Sequence, residues 1–115
     1  MVRYQWNIFW SNLDPGKGSE QAGKRPVIVI SAEEVNQVLP IVTVMAVTSL
    51  KEGRRIYPIE VMLRAYDTGL SKNSVAMAHQ IRTISKDRLE GKCGEIKDDN
   101  IKEQIRKAIR VYFDL

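Results

Sequence analysis

Pro26-Val27-Ile28-Val29-Ile30 is an unbroken apolar run, and it follows directly on a stretch with almost no apolar character. Residues 14–24 hold three glycines, one proline and four charged residues. A five-residue run rich in β-branched side chains suits a short buried strand. Pro26 fits its start, where no ladder donor is needed. Arg25 therefore stands at the mouth of a buried strand, where a charged group is positioned rather than merely solvated. The eleven residues before it form a loop that is long for a strand connection, and such loops are often functional. This loop is free to cover whatever Arg25 touches.

The rest of the chain reads as more short strands. Trp6 to Leu13 carries Ile8, Phe9 and Trp10 before the turn signal Asp14-Pro15. Ala32 to Leu39 is a polar connection with room for one helical turn. Ile41 to Ser49 is a β-branched strand that ends Val47-Thr48-Ser49, and residues 51–55 form a charged turn. Ile56 to Leu63 reads as a fourth strand, with Pro58 marking an edge or a bulge. In Ser74 to Ile84, alternation puts Val75, Met77, His79, Ile81 and Thr83 on a core face. Ser74, Ala76, Ala78, Gln80, Arg82 and Ile84 then take the opposite face, small in the middle and polar at its ends. Asp98-Asp99-Asn100 offers N-cap chemistry to a closing helix. Ile101, Ile105, Ala108, Ile109 and Tyr112 form its buried stripe, and Lys102, Arg106, Lys107 and Arg110 face outward. Strands with Gly and Pro turns and one terminal helix predict a mainly β domain over residues 1–115, a small, partly open β-barrel with a helix packed on it.

With 115 residues the chain has room for one core. One cysteine, Cys93, allows neither a disulfide framework nor a multi-cysteine metal site, and one histidine, His79, argues against zinc. No apolar run approaches the ~18 residues of a membrane span, and no secretory signal is visible, so the expected location is cytoplasmic. The net charge of +4 is a mild bias toward polyanions. P-loop, His-Glu-x-x-His and Gly-x-Ser-x-Gly patterns are absent. His79 is the one side chain with an ordinary pKa near neutrality, but alternation sends it to the core side; a β-bulge would reverse that. There remain Arg25, Thr48, Ser49, Gln80 and Arg82, at strand ends or on one strand face. Guanidinium groups match phosphate geometry, and hydroxyl and amide groups add neutral contacts. Such a set can bind a phosphodiester and stabilise charge on it, with neither metal nor cofactor.

At these residues the chain resembles the MazF/PemK family of toxin endoribonucleases, the mRNA interferases. Leu13-Asp14-Pro15, Gly18-Ser19-Glu20-Gln21, Gly23 and Arg25-Pro26-Val27 are similar to its first signature. Val47-Thr48-Ser49 is similar to its second, and Asn73-Ser74-Val75 with Gln80-Ile81-Arg82-Thr83-Ile84 to its third. The resemblance implies an SH3-like barrel, shared with the gyrase poison CcdB, that works as a homodimer and as the toxin of a type II toxin–antitoxin system. It implies metal-independent, sequence-selective cleavage of single-stranded RNA by 2′-hydroxyl attack, giving 2′,3′-cyclic phosphate and 5′-hydroxyl ends. It also implies a MazE-type antitoxin partner that covers the RNA site.

Carried over residue by residue, the resemblance makes Arg25 and Thr48 the catalytic pair. Ser19, Glu20, Gln21, Ser49, Ser74, Gln80 and Arg82 become the RNA contacts. The base that takes the 2′-proton could be Glu20, Arg25 or water. The competing expectation is a non-catalytic toxin of the same fold that binds gyrase or RNA without cutting it. Two departures stand out. Trp6-Asn7-Ile8 replaces the family's usual Gly-Asp-Ile, and His79 stands where Glu is frequent.

Overall fold

The computed structural model describes all residues, 1–115. Its strands are β1 (Asn7–Asn12), β2 (Lys24–Val29), β3 (Ile41–Ser49), β4 (Glu60–Leu63), β5 (Ser74–Ser85) and β6 (Leu89–Glu95). Its helices are α1 (Glu33–Val38), α2 (Ala65–Thr68) and α3 (Asp99–Phe113). The strands form one antiparallel sheet in the order β4-β5-β3-β2-β1-β6.

Val27, Ile28 and Val29 are all fully buried, which explains why β2 lacks alternation. Ile28 packs with Ile8, Met45, Ala76 and Ala78 beneath Ile101, Ile105 and Ala108 of α3. Val27 and Val29 join Phe9, Leu13, Val44, Ala46, Val75 and Met77 in a second cluster that no helix covers. Only a strongly curled sheet can bury four of its own strands against one another in that way, so the partly open barrel follows from the packing. The ladder to β3 begins at Val27, so the N–H that Pro26 lacks is not needed there.

α3 starts where expected, with the Asp98 carboxylate accepting from the Asn100 N–H at 2.7 Å. Ile101, Ile105 and Ala108 form its buried stripe. Tyr112 does not join it. It is 45% exposed and meets Phe113 edge-on at 5.0 Å. Lys102 and Arg106 do not simply face solvent either, since both lie over the Trp6 ring, at 5.7 and 5.2 Å.

Two further differences have local causes. β4 starts at Glu60 because Tyr57 to Glu60 is a turn closed by the Glu60 N–H on Tyr57 O at 2.9 Å. Glu60 is buried, held by Arg54 at 2.8 Å and by the Tyr57 N–H at 3.0 Å. Burial works against its ionisation, yet the hydrogen bonds from Arg54 and the Tyr57 N–H, with the Arg54 charge, leave its carboxyl below the ordinary value. Glu33, at the start of α1, accepts from the N–H groups of Tyr4 and Gln5 and from Gln37, so it pins the N-terminal segment.

Candidate active site

The two strand ends that carry Arg25 and Thr48 reach one cleft of about 360 Å³. Lys24, Arg25 and Pro26 enter it from β2, Val47, Thr48 and Ser49 from β3, and Ser74 from the start of β5. The Arg25 Nε–H donates to Ala22 O at 3.2 Å, which fixes the head group at the loop's exit and leaves its terminal nitrogens uncommitted. Lys24 and Lys72 add positive charge, and no carboxylate lines this cleft. Lys24 is paired with Glu90 at 3.2 Å. Fixed cations beside hydroxyl donors make a site for an anion whose charge grows during reaction. Cys93 also reaches the cleft, where burial pushes its thiol up and keeps it from thiolate chemistry. The sequence offered no sign that Lys72, Cys93 or Trp10 would stand here.

The remaining expected residues gather elsewhere. Glu20, Gln21, Gln80 and Arg82 line a second cleft of about 310 Å³ between the loop and the second half of β5. Ser19 touches it through its carbonyl. The clefts are neighbours along β3, where Ala46 lines this one and Val47 the other. No three His, Cys, Asp or Glu side chains converge anywhere in a metal-binding group.

The loop is folded down rather than loose. The Leu13 N–H donates to Gly23 O at 2.9 Å, and the Gly23 N–H to Asp14 Oδ1 at 2.7 Å, closing its neck. Gly23 has φ +73, which favours glycine at that point. Gln80 ties the tip: its Oε1 accepts from the Gln21 N–H at 3.3 Å and its Nε2 donates to Ser19 O at 3.1 Å. Arg82 Nη1 donates to Leu13 O at 3.0 Å, and Arg88 to Asp14 O at 2.5 Å. Gln80 and Arg82, expected as RNA contacts, thus hold the loop in this conformation.

The expected position of His79 is overturned. Met45 pairs with Ile81 but Val47 pairs with Ala76, so β5 spends five residues where β3 spends two. This bulge reverses the alternation. Ile81 packs with the α3-side cluster like Ala76 and Ala78, while Ile84 joins Val75 and Met77 on the other face. His79 consequently lines the loop cleft beside Gln80 and Arg82 instead of lying away from them. Nothing in Ala76-Met77-Ala78 announces the bulge.

Comparison with known proteins places this geometry. Residues 4–113 match the family of PemK-like, MazF-like toxins of type II toxin–antitoxin systems. Endoribonuclease MazF9 of Mycobacterium tuberculosis is 34% identical over 113 residues, covering 94% of this chain and 93% of its own. MazF from Deinococcus radiodurans superposes with a TM-score of 0.81 at 27% identity, covering 100% of this chain and 99% of its own. The MazE–MazF complex from the same organism gives 0.74 at 28% identity, covering 100% and 98%. With the expected signature residues gathered at two adjoining clefts and the match running nearly end to end, this chain belongs to the PemK-like, MazF-like toxin family.

Proposed function

We propose that the protein is the toxin of a type II toxin–antitoxin system and cleaves single-stranded RNA. The observation that carries this is the cleft lined by Arg25, Thr48, Ser49 and Ser74, cationic and free of carboxylates. The endoribonuclease MazF9 and the MazE–MazF complex support it as relatives.

In the proposed reaction the RNA 2′-oxygen attacks the adjacent phosphorus. A new 2′-O–P bond forms as the P–O5′ bond breaks, leaving a 2′,3′-cyclic phosphate and a 5′-hydroxyl. The 2′-hydroxyl gives up its proton and the leaving 5′-oxygen gains one. The uncommitted Arg25 nitrogens stabilise the phosphorane, and one can donate toward the leaving oxygen. Thr48 donates to a non-bridging oxygen. One such donor is typically worth about 3–4 kcal/mol in the transition state. Arginine is a poor general base at neutral pH, which leaves Glu20 and water as the better acceptors of the 2′-proton. Glu20 lines the loop cleft rather than the Arg25 cleft, with Oε1 accepting from the Lys17 N–H at 2.7 Å, so the loop must shift to bring Glu20 to the 2′-hydroxyl.

The working form is a homodimer bound and silenced by a MazE-type antitoxin. The exposed apolar end of α3, with Val111, Tyr112, Phe113 and Leu115, supports a protein partner on that surface. No helix is long and apolar enough to cross a membrane, and an RNA substrate fits a cytoplasmic site of action. The test is incubation with mixed-sequence RNA in EDTA, followed by end mapping. Cyclic-phosphate ends and their loss in Arg25→Ala are expected. No cleavage by folded protein, or undiminished cleavage by Arg25→Ala, overturns the mechanism.

A further inference from the structure

Only two buried side-chain polar atoms in the whole protein lack a hydrogen-bond partner, Gln21 Oε1 and His79 Nδ1. Both belong to residues that line the loop cleft. Buried polar atoms are nearly always paired, because an orphan gives up a bond to water and receives nothing in exchange. Both atoms are shielded while the loop is folded down, so a ligand reaches them only when the loop shifts; two orphans beside one cleft and none elsewhere then mark where the polar edge of that ligand would pair. The rest of the cleft agrees. Leu13, Ala46 and Ile81 supply apolar wall, which suits a flat ring. Gln80 has both polar ends spent on the loop, and Arg82 holds Leu13 O.

We propose that the loop cleft reads one base of the RNA substrate through its exocyclic amino group. His79 Nδ1, in the Nε2–H tautomer, and Gln21 Oε1 are the acceptors. Adenine, cytosine and guanine each present an amino donor, whereas uracil presents none. His79 is thereby a specificity-determining residue, delivered to the cleft by the β5 bulge. This rests on the RNA-cleaving reading of the Arg25 cleft and adds to it which base class the neighbouring cleft selects.

The experiment uses the full chain. Cut sites are mapped on mixed-sequence RNA in EDTA. The preferred sequence is then resynthesised with one amino group removed at a time: adenosine to purine riboside, guanosine to inosine, cytidine to its 4-deamino analogue. At one position the wild type is expected to lose about tenfold or more in kcat/KM. His79→Ala, which leaves only the Gln21 acceptor, is expected to discriminate clearly less between that parent and its analogue. His79→Gln, which keeps an acceptor, is expected to regain part of the discrimination. The proposal is overturned if the wild type tolerates every amino deletion, or if folded His79→Ala discriminates as well as the wild type. Where His79→Ala fails to fold, His79→Phe, which fills the same space without an acceptor, takes its place against the same analogue. Absence of any cleavage by the wild type is a distinct result and overturns the endoribonuclease reading itself.

Discussion

Replacing Gln80 by Ala should release the tip of the loop without unfolding the sheet. The side chain makes two bonds across the cleft, one at 3.1 Å to Ser19 O and one at 3.3 Å from the Gln21 N–H. A typical intramolecular hydrogen bond contributes about 0.5–1.5 kcal/mol net, and the longer of these belongs at the low end. Together they hold the tip by about 1–2 kcal/mol, which is roughly a 5- to 30-fold change in the local opening equilibrium. The neck bonds at Leu13, Asp14 and Gly23 do not involve Gln80 and should persist. Native-state hydrogen exchange reads this directly. The Gln21 amide should exchange roughly 5- to 30-fold faster in Gln80→Ala, while amides of β2 and β3 stay within twofold of the wild type on the scale of about one RT. Unchanged exchange at Gln21 would refute the clamp. Faster exchange throughout β2 would refute the claim that the tip opens independently.

Arg54→Ala should cost about 2–3 kcal/mol in urea unfolding, because it strands the buried Glu60 carboxylate with only the Tyr57 N–H. Adding Glu60→Gln should restore much of that loss, and a single-mutant cost under about 0.5 kcal/mol would remove the pair from the stability argument. Gly23→Ala meets no atom within 4 Å, so its cost is the backbone strain at φ +73, about 1–2 kcal/mol by denaturation. Glu33 has a pH signature. Burial is the largest single influence and opposes its ionisation, but the hydrogen bonds from Gln5, Gln37, Tyr4 and Asn36 together hold it below the ordinary 4.5. The unfolded chain therefore takes up the proton first, so the stabilisation is complete above pH 4.5 and fades as the pH falls through the folded value. The stability gap between wild type and Glu33→Gln should narrow from pH 6 to pH 3, and a constant gap would refute the assignment.

The elements legible in the sequence were those whose pattern and burial agree. β2 and β3 are β-branched runs, and the first half of α3 carries an uninterrupted stripe. β6 was not legible: Leu-Glu-Gly-Lys-Cys-Gly-Glu has two glycines and three charges, and it is a strand because the edge of β1 accepts it. Arg25, Thr48, Ser49 and Ser74 share one cleft because strand ends carry them, whereas Trp10, Lys72 and Cys93 reach it through contacts the sequence does not announce. His79 could not be placed, since alternation assumes an unbroken ladder and the bulge depends on how β5 meets β3. Lys102 reads as a surface charge because its partner, the Trp6 ring, lies far away in the chain.

β5 contributes Ser74 to one cleft and His79 to Arg82 to the other. Gln80 is six positions beyond Ser74, so the two clefts are at most about 20 Å apart along that strand. On the proposed reading, this single strand is the measuring stick between the bond that is cut and the base that is read. The bulge is an adjustable length on that stick. Relatives with the same catalytic pair but a bulge of different size would recognise a base at a different number of nucleotides from the break. Inserting or deleting two residues at 78–80, which keeps the alternation of faces, should therefore move the cut relative to the recognised base, a change of reading frame rather than a loss of chemistry.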